Sequence, residues 1–151
     1  MSSKNYLAIY AKSFNWAGFF LPRKTYDKCS ALYDFCRVAD NIAVDENKID
    51  IKKDNFIIFR NNFVNKNYDD PVIKKMWDLI NELNISTKII DDLFEGINSD
   101  IKENVELSSK KEVLIYSYRV AGTVGLKMAK ILNVRKKQSW ISAIDLGIAM
   151  Q

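Results

Sequence analysis

Tyr33-Asp34-Phe35-Cys36-Arg37-Val38-Ala39-Asp40-Asn41-Ile42-Ala43-Val44-Asp45-Glu46 decides the fold: an apolar run with helical spacing closes on carboxylates and an amide beside one arginine. On a helix, Tyr33, Arg37, Asp40 and Val44 share one stripe, and Asn41 and Asp45 lie on the adjoining one, so Arg37, Asp40 and Asn41 point into a common sector. Ionic groups on a segment that otherwise reads as buried are costly unless something charged occupies the space between them. A magnesium-bound anion suits that space, because Mg²⁺ takes carboxylate, phosphate and water oxygens while an arginine grips a diphosphate through a charge-assisted fork. A solvated helix end with an Arg37–Asp40 ion pair accounts for the same residues. Asp40 and Asp45 lie about 140° apart around an ideal helix, so they converge only if its end unwinds or bulges.

Outward from this stretch, only 2 Pro and 5 Gly interrupt the chain, and apolar residues recur at three- and four-residue spacing almost throughout. That pattern predicts an all-α architecture. Asn5 to Lys12 reads as a short helix, Ser13 to Pro22 as an aromatic connection, and Thr25 opens a helix that stops between Val44 and Asn47. A further helix covers Ile51 to Asn65, with Phe56, Phe59 and Phe63 at core spacing. Pro71 starts the next and Asn84 closes it; Ser86 caps Thr87 to Ile101. Ser108 or Ser109 opens a long helix to Leu132, and Lys136 to Gln151 forms a last apolar helix. Neither a glycine cap nor a cationic last turn follows Met150, so a single domain truncated after Gln151 is expected.

The chain of 151 residues can bury a real core, and its 48% hydrophobic content agrees with a globular protein. It has no histidine, which removes Ser-His chemistry and the usual zinc sites and leaves carboxylates, Tyr, Arg and Lys to do the chemistry. Cys29 and Cys36 are too far apart for a metal or redox pair and read as reduced core thiols of a cytoplasmic protein. The net charge of +4 is scattered among acids, which argues against nucleic acid and for a weak attraction to an anionic membrane surface. No apolar run is long enough to span a membrane.

Two other groups could carry chemistry. In Tyr116-Ser117-Tyr118-Arg119-Val120-Ala121-Gly122-Thr123-Val124-Gly125, two glycines sit in an apolar helix at a cost of about 1 kcal/mol each, which a close approach by a neighbouring helix or a ligand would offset. Lys12-Ser13-Phe14 with Trp16, Phe19 and Phe20 sets a hydroxyl and a cation beside aromatics. It suits either a phosphate head with an apolar tail or a simple hydrophobic staple.

Taken together and in order, Lys12-Ser13-Phe14 through Leu21-Pro22, Ala31-Leu32-Tyr33 with Phe35 to Asp40, Gly96 to Asp100, Tyr116 to Gly125 and Asp145 to Gln151 resemble blocks of the squalene/phytoene synthase family. Tyr118-Arg119-Val120-Ala121-Gly122-Thr123-Val124-Gly125 is most similar to the bacterial phytoene synthase pattern. The resemblance implies the N-terminal half of an all-α isoprenoid synthase fold, as a truncated helical bundle. It also implies a Mg²⁺-dependent condensation of two prenyl diphosphates, geranylgeranyl or farnesyl, through a cyclopropylcarbinyl diphosphate to phytoene or a squalene-type product of isoprenoid and carotenoid biosynthesis. In that reading Asp40 is the first metal carboxylate, with Arg37 and Tyr33 toward the diphosphate and Ser13 and Phe14 near a substrate head group. Tyr116, Val120 and Gly122 line the cavity, Gln151 lies at its floor, and Asn41 and Asp45 complete the candidate substrate and metal set. The family's first motif has aspartates four apart, whereas position 44 here is Val44 and the acid falls at Asp45. Its second aspartate motif lies beyond the counterpart of Gln151, so the chain alone is expected to be inactive. The rival reading is a non-catalytic homologue acting as an assembly or lipid-binding factor; a helical module that docks a partner helix on its C-terminal stripe is a third.

Overall fold

A computed structural model describes residues 6–101 and 107–151. Among them the regular elements are all helical: α1 (Tyr6–Tyr10), α2 (Lys12–Gly18), α3 (Arg23–Val44), α4 (Ile49–Val64), α5 (Pro71–Leu83), α6 (Thr87–Asp100), α7 (Lys110–Ser117), a π-helical turn (Tyr118–Gly122), α8 (Thr123–Ile131) and α9 (Lys137–Ala149). The all-α expectation holds. Local chemistry sets several boundaries. Asp70 accepts the Val72 N–H at 2.8 Å ahead of Pro71, and Asn84 ends α5 in the left-handed region at φ 48°. Ser109 and Glu112 cap α7 reciprocally: Ser109 Oγ accepts the Glu112 N–H, and the Glu112 carboxylate accepts the Ser108 N–H.

The central helix α3 packs on α1, α4, α5, α6 and α8. Its Leu32, Phe35 and Ala39 are wholly enclosed, and the Phe35 ring lies 5.5 Å from Phe59, 5.4 Å from Phe63 and 6.0 Å from Phe94. Phe63 in turn stacks on Trp77, whose indole N–H donates to the Phe63 carbonyl at 2.8 Å. Burial of these rings, with edge and face contacts worth about 0.5–1.5 kcal/mol per pair beyond their area, makes this the rigid part of the molecule.

Two elements differ from the spacing-based expectation. The aromatic stretch from Ser13 lies in a helix as far as Gly18, because the segment contains no breaker until Gly18 itself, whose missing Cβ would sit 2.8 Å from the Tyr26 ring. Tyr26 also donates its hydroxyl to Asn15, fastening α2 to the start of α3. The long helix from Ser109 to Leu132 is divided by the π-helical turn, which shifts the register between α7 and α8. Helix α9 meets α8 and the turn backbone to backbone: a Cβ on Gly125 of α8 would collide with the Ala143 carbonyl oxygen, and one on Gly147 of α9 would lie 2.5 Å from that of Ala121 in the turn. The glycines' cost in helix propensity is thus offset by a neighbouring helix.

Candidate active site

Where α3, α6, α7 and the π-helical turn converge they enclose a cavity of about 230 Å³. Tyr33, Cys36, Arg37 and Asp40 line it from α3, Leu93, Ile97 and Asp100 from α6, Tyr116 and Val120 from the other side, and Gln151 closes one end. Arg37 and Asp40 form an ion pair, Nη1 to Oδ2, at 3.0 Å, with both side chains partly open to solvent. The Arg37 Nε–H is nevertheless buried and has no acceptor. On the guanidinium lies the Tyr10 ring, 4.8 Å from Cζ to centroid. Helix α1, which carries Tyr10, is held by the Tyr6 N–H donating to the enclosed Asp34 carboxylate at 2.9 Å. Burial raises the Asp34 pKa, opposed by the Tyr6 and Leu7 N–H groups and by Lys75.

Tyr33, Arg37, Asp40, Tyr116, Val120 and Gln151 are therefore brought together. Other expected site residues lie elsewhere. Asn41 is half-buried on the next sector of α3 and does not line the cavity. Asp45 follows the end of α3, where its carboxylate accepts the Asn47 N–H at 3.3 Å. Ser13 is exposed on α2, and Gly122 faces α9, where an added Cβ would lie 3.2 Å from Ile144 Cγ2. Phe14 lines a second space, an apolar groove of about 460 Å³ between α8 and α9. Val120 and Gln151 border both spaces, so the polar cavity and the apolar groove adjoin.

Asp100 and Cys36 join the site without having been singled out as site residues. The signal for Asp100 was present: Leu93, Ile97 and Asp100 continue one helical face at spacings of four and three, which sets a carboxylate on the apolar side of α6. Burial raises the Asp100 pKa and the charge of Asp40 raises it further, while a hydrogen bond from Tyr116 works the other way. Tyr116, half-buried and bonded to that carboxylate, is pushed up to about 12 by desolvation and by the Asp100 bond and charge, and remains a hydroxyl donor. Burial likewise raises the Cys36 thiol, against the pull of Lys127. Lys127 itself is 0% exposed and its ammonium nitrogen has no hydrogen-bond partner; burial lowers its pKa, with Cys36 and Asp92 opposing.

Among the described residues no group of three or more acids, cysteines or histidines is placed to hold a metal. Asp40 and Asp100 give two hard-oxygen donors in one cavity. That set fits Mg²⁺, which binds through one or two carboxylates and completes its shell with water and phosphate oxygens.

The family described as squalene/phytoene synthase matches residues 7–151. The chain belongs to the squalene/phytoene synthase family. Its relatives include the 15-cis-phytoene synthase of Pantoea ananas, 26% identical over 96% of this chain and 50% of that protein. The phytoene synthase of Rhodobacter capsulatus is 31% identical over 92% of this chain and 42% of its own length. A crystal structure of a dehydrosqualene synthase superposes with a TM-score of 0.83 at 26% identity, over 97% of this chain and 51% of that one. The chain thus spans about half the length of the squalene/phytoene synthases it matches, and its helices follow the isoprenoid synthase fold.

Proposed function

We propose that the whole protein condenses two prenyl diphosphates head to head, and that this chain supplies one side of the diphosphate site together with part of the channel for a prenyl tail. The observation that carries this reading is the junction at Val120 and Gln151, where a cavity holding Arg37, Asp40 and Asp100 adjoins an apolar groove. A ligand with an anionic head and a long hydrocarbon tail matches both spaces at once. Arg37 offers the diphosphate its charge and a buried N–H that lacks an acceptor. Asp40 and Asp100 would hold Mg²⁺, which when bound stabilises the charge of the departing diphosphate. Tyr116 keeps its proton and orients Asp100. The groove walls, Val124, Met128 and Leu146 among them, exclude water from a developing carbocation.

Calorimetry of the 151-residue chain with inorganic pyrophosphate and Mg²⁺ tests the site. Binding is expected, with Arg37→Ala weaker by about tenfold or more, the scale of a lost hydrogen bond to a charged group. Absence of binding overturns the reading. The chain alone is expected to form neither phytoene nor presqualene diphosphate, since half a site cannot orient two substrates; detection of either product overturns that expectation. The position of Asp45, turned to Asn47 and away from the cavity, favours a second reading, a homologue that keeps the fold as a lipid-binding or assembly factor. Prenyl condensation by the whole protein would exclude it.

A further inference from the structure

Asp34 is 2% exposed, an acid on a helix whose other buried residues are Cys29, Ala31, Leu32, Phe35, Ala39 and Ala43. A carboxylate enclosed in this way is costly unless it is hydrogen-bonded. Its partners come from α1: the Tyr6 N–H donates to Oδ1 at 2.9 Å, and the Leu7 N–H donates to the same carboxylate. These are the first N–H groups of α1, which find no acceptor within their own helix. The buried acid and the helix start therefore satisfy one another. At five residues α1 is far shorter than the roughly 12 an isolated helix needs, so contacts with the rest of the molecule decide whether it forms.

The far end of α1 carries Tyr10, one turn beyond Tyr6 and stacked on its ring at 6.0 Å. Asp34 and Arg37 lie three residues apart, about 4.5 Å along α3, and Tyr6 and Tyr10 about 6 Å apart along α1. A helix whose start is held by Asp34 thus reaches Arg37, and the Tyr10 ring lies 4.8 Å from its Cζ. The ring takes the flat face of the guanidinium, whereas the N–H donors lie in its plane. In that plane Nη1 pairs with Asp40 at 3.0 Å, and the buried Nε–H has no acceptor. We propose that Asp34 is a positioning residue of the anion site: through α1 it sets the Tyr10 ring on Arg37 and so fixes the plane in which the guanidinium offers its N–H groups to the cavity. The anion in this role rests on the proposed function. A purely electrostatic role would have the opposite sign, because an acid near Arg37 repels an anion and its loss would strengthen binding.

The test joins calorimetry of the 151-residue chain with inorganic pyrophosphate and Mg²⁺ to the NMR signal of the Arg37 Nε–H in the chain without ligand. Asp34→Leu keeps the shape of the side chain and removes the acceptor; Asp34→Asn removes the acid and keeps an acceptor oxygen. Asp34→Leu should move the Arg37 signal to the position it has in Tyr10→Leu and weaken pyrophosphate binding about two- to fivefold, the scale of an exposed cation–π contact. The double variant D34L/Y10L should bind no more weakly than Y10L, since both changes remove one contact. Asp34→Asn should keep the parent signal and bind at least as tightly as the parent. Tyr6→Pro removes a donor from the α1 side, at a first helical position that tolerates proline, and should move both readouts in the direction of Asp34→Leu even if that variant fails to fold. An unmoved Arg37 signal in both Asp34→Leu and Tyr6→Pro overturns the proposal, as does tighter binding by Asp34→Leu or an additive loss in the double variant. Absence of binding by the parent overturns the proposed function and this role with it; binding by the parent that Asp34→Leu leaves unchanged overturns this role alone.

Discussion

Around Phe35 the chain excludes water with rings packed tilted and edge-on from α3, α4 and α6, whereas α9 approaches α8 at Gly125 and the π-helical turn at Gly147 until main chain meets main chain. The first arrangement fills space; the second leaves it. No residue of α9 is buried, and the groove beside it is bounded by Val124, Met128 and Leu146. The contrast shows how a small helical domain can combine a fixed cation-bearing wall with room for a hydrocarbon. The ring core immobilises α3 and hence Arg37 and Asp40, while the glycine contact joins two helices at one spot without closing the channel next to it.

The largest effect should come from the filled side. Phe35→Ala removes the ring around which Phe59, Phe63 and Phe94 gather, and should lower the unfolding free energy in urea by about 3–5 kcal/mol. Gly125→Ala probes the other side, where helix propensity alone would favour alanine by about 1 kcal/mol. Because the added Cβ would meet a carbonyl oxygen of α9, which cannot rotate away, a net loss of about 1–3 kcal/mol is expected. A gain in stability on Gly125→Ala would show that the two helices do not touch there.

At the seam between the two regions, Lys127 projects from α8 into the interior without a hydrogen-bond partner. Lys127→Met should stabilise the chain by about 1–3 kcal/mol. The folded pKa lies below the ordinary 10.5, so below that value the unfolded chain takes up a proton that the folded chain resists. Stability in the parent therefore falls as pH drops from 10.5 toward the folded pKa and levels off below it. The advantage of Lys127→Met should be greatest at low pH and shrink as pH rises past 10.5 to the cost of burying an unpartnered neutral amine, which denaturation at a series of pH values would show. The smallest effect belongs to the cation-bearing wall: Tyr10→Leu removes the ring over Arg37 and should weaken pyrophosphate binding about two- to fivefold, with Tyr10→Phe close to the parent.

Much of this was legible in the sequence because it is local. Tyr33, Arg37 and Asp40 share a stripe by helical period alone, Asp70-Pro71 and Asn84 bound α5 by their own chemistry, and the phenylalanine spacing of α4 marked its buried face. The ordered family blocks supplied the fold. What escaped depends on distant contacts. The meeting of Asp100 with Tyr116 follows from α6 lying against the π-helical turn, where a Cβ on Gly96 would sit 2.7 Å from Val120 Cγ1, and no sequence spacing encodes that crossing. Nor does apolar periodicity reveal the turn itself, since a slip of one residue leaves the pattern nearly intact. Helix α2 was hidden because its aromatic side chains face solvent and supply no amphipathic signal.

That turn, Tyr118–Gly122, fixes a phase relation between the two halves of the site. A π-helical turn spreads one extra residue over nearly the rotation of an ordinary α-helical turn, so α8 keeps the phase relative to α7 that an unbroken helix one residue shorter would give it. Were the same five residues wound as regular α-helix, everything after them would turn by about 100°: Tyr116 would keep its place beside Asp100 while Gly125 and Val124 left α9 and the groove. The alignment of a polar cavity with an apolar channel thus depends on one five-residue segment holding its extra residue in the wider turn.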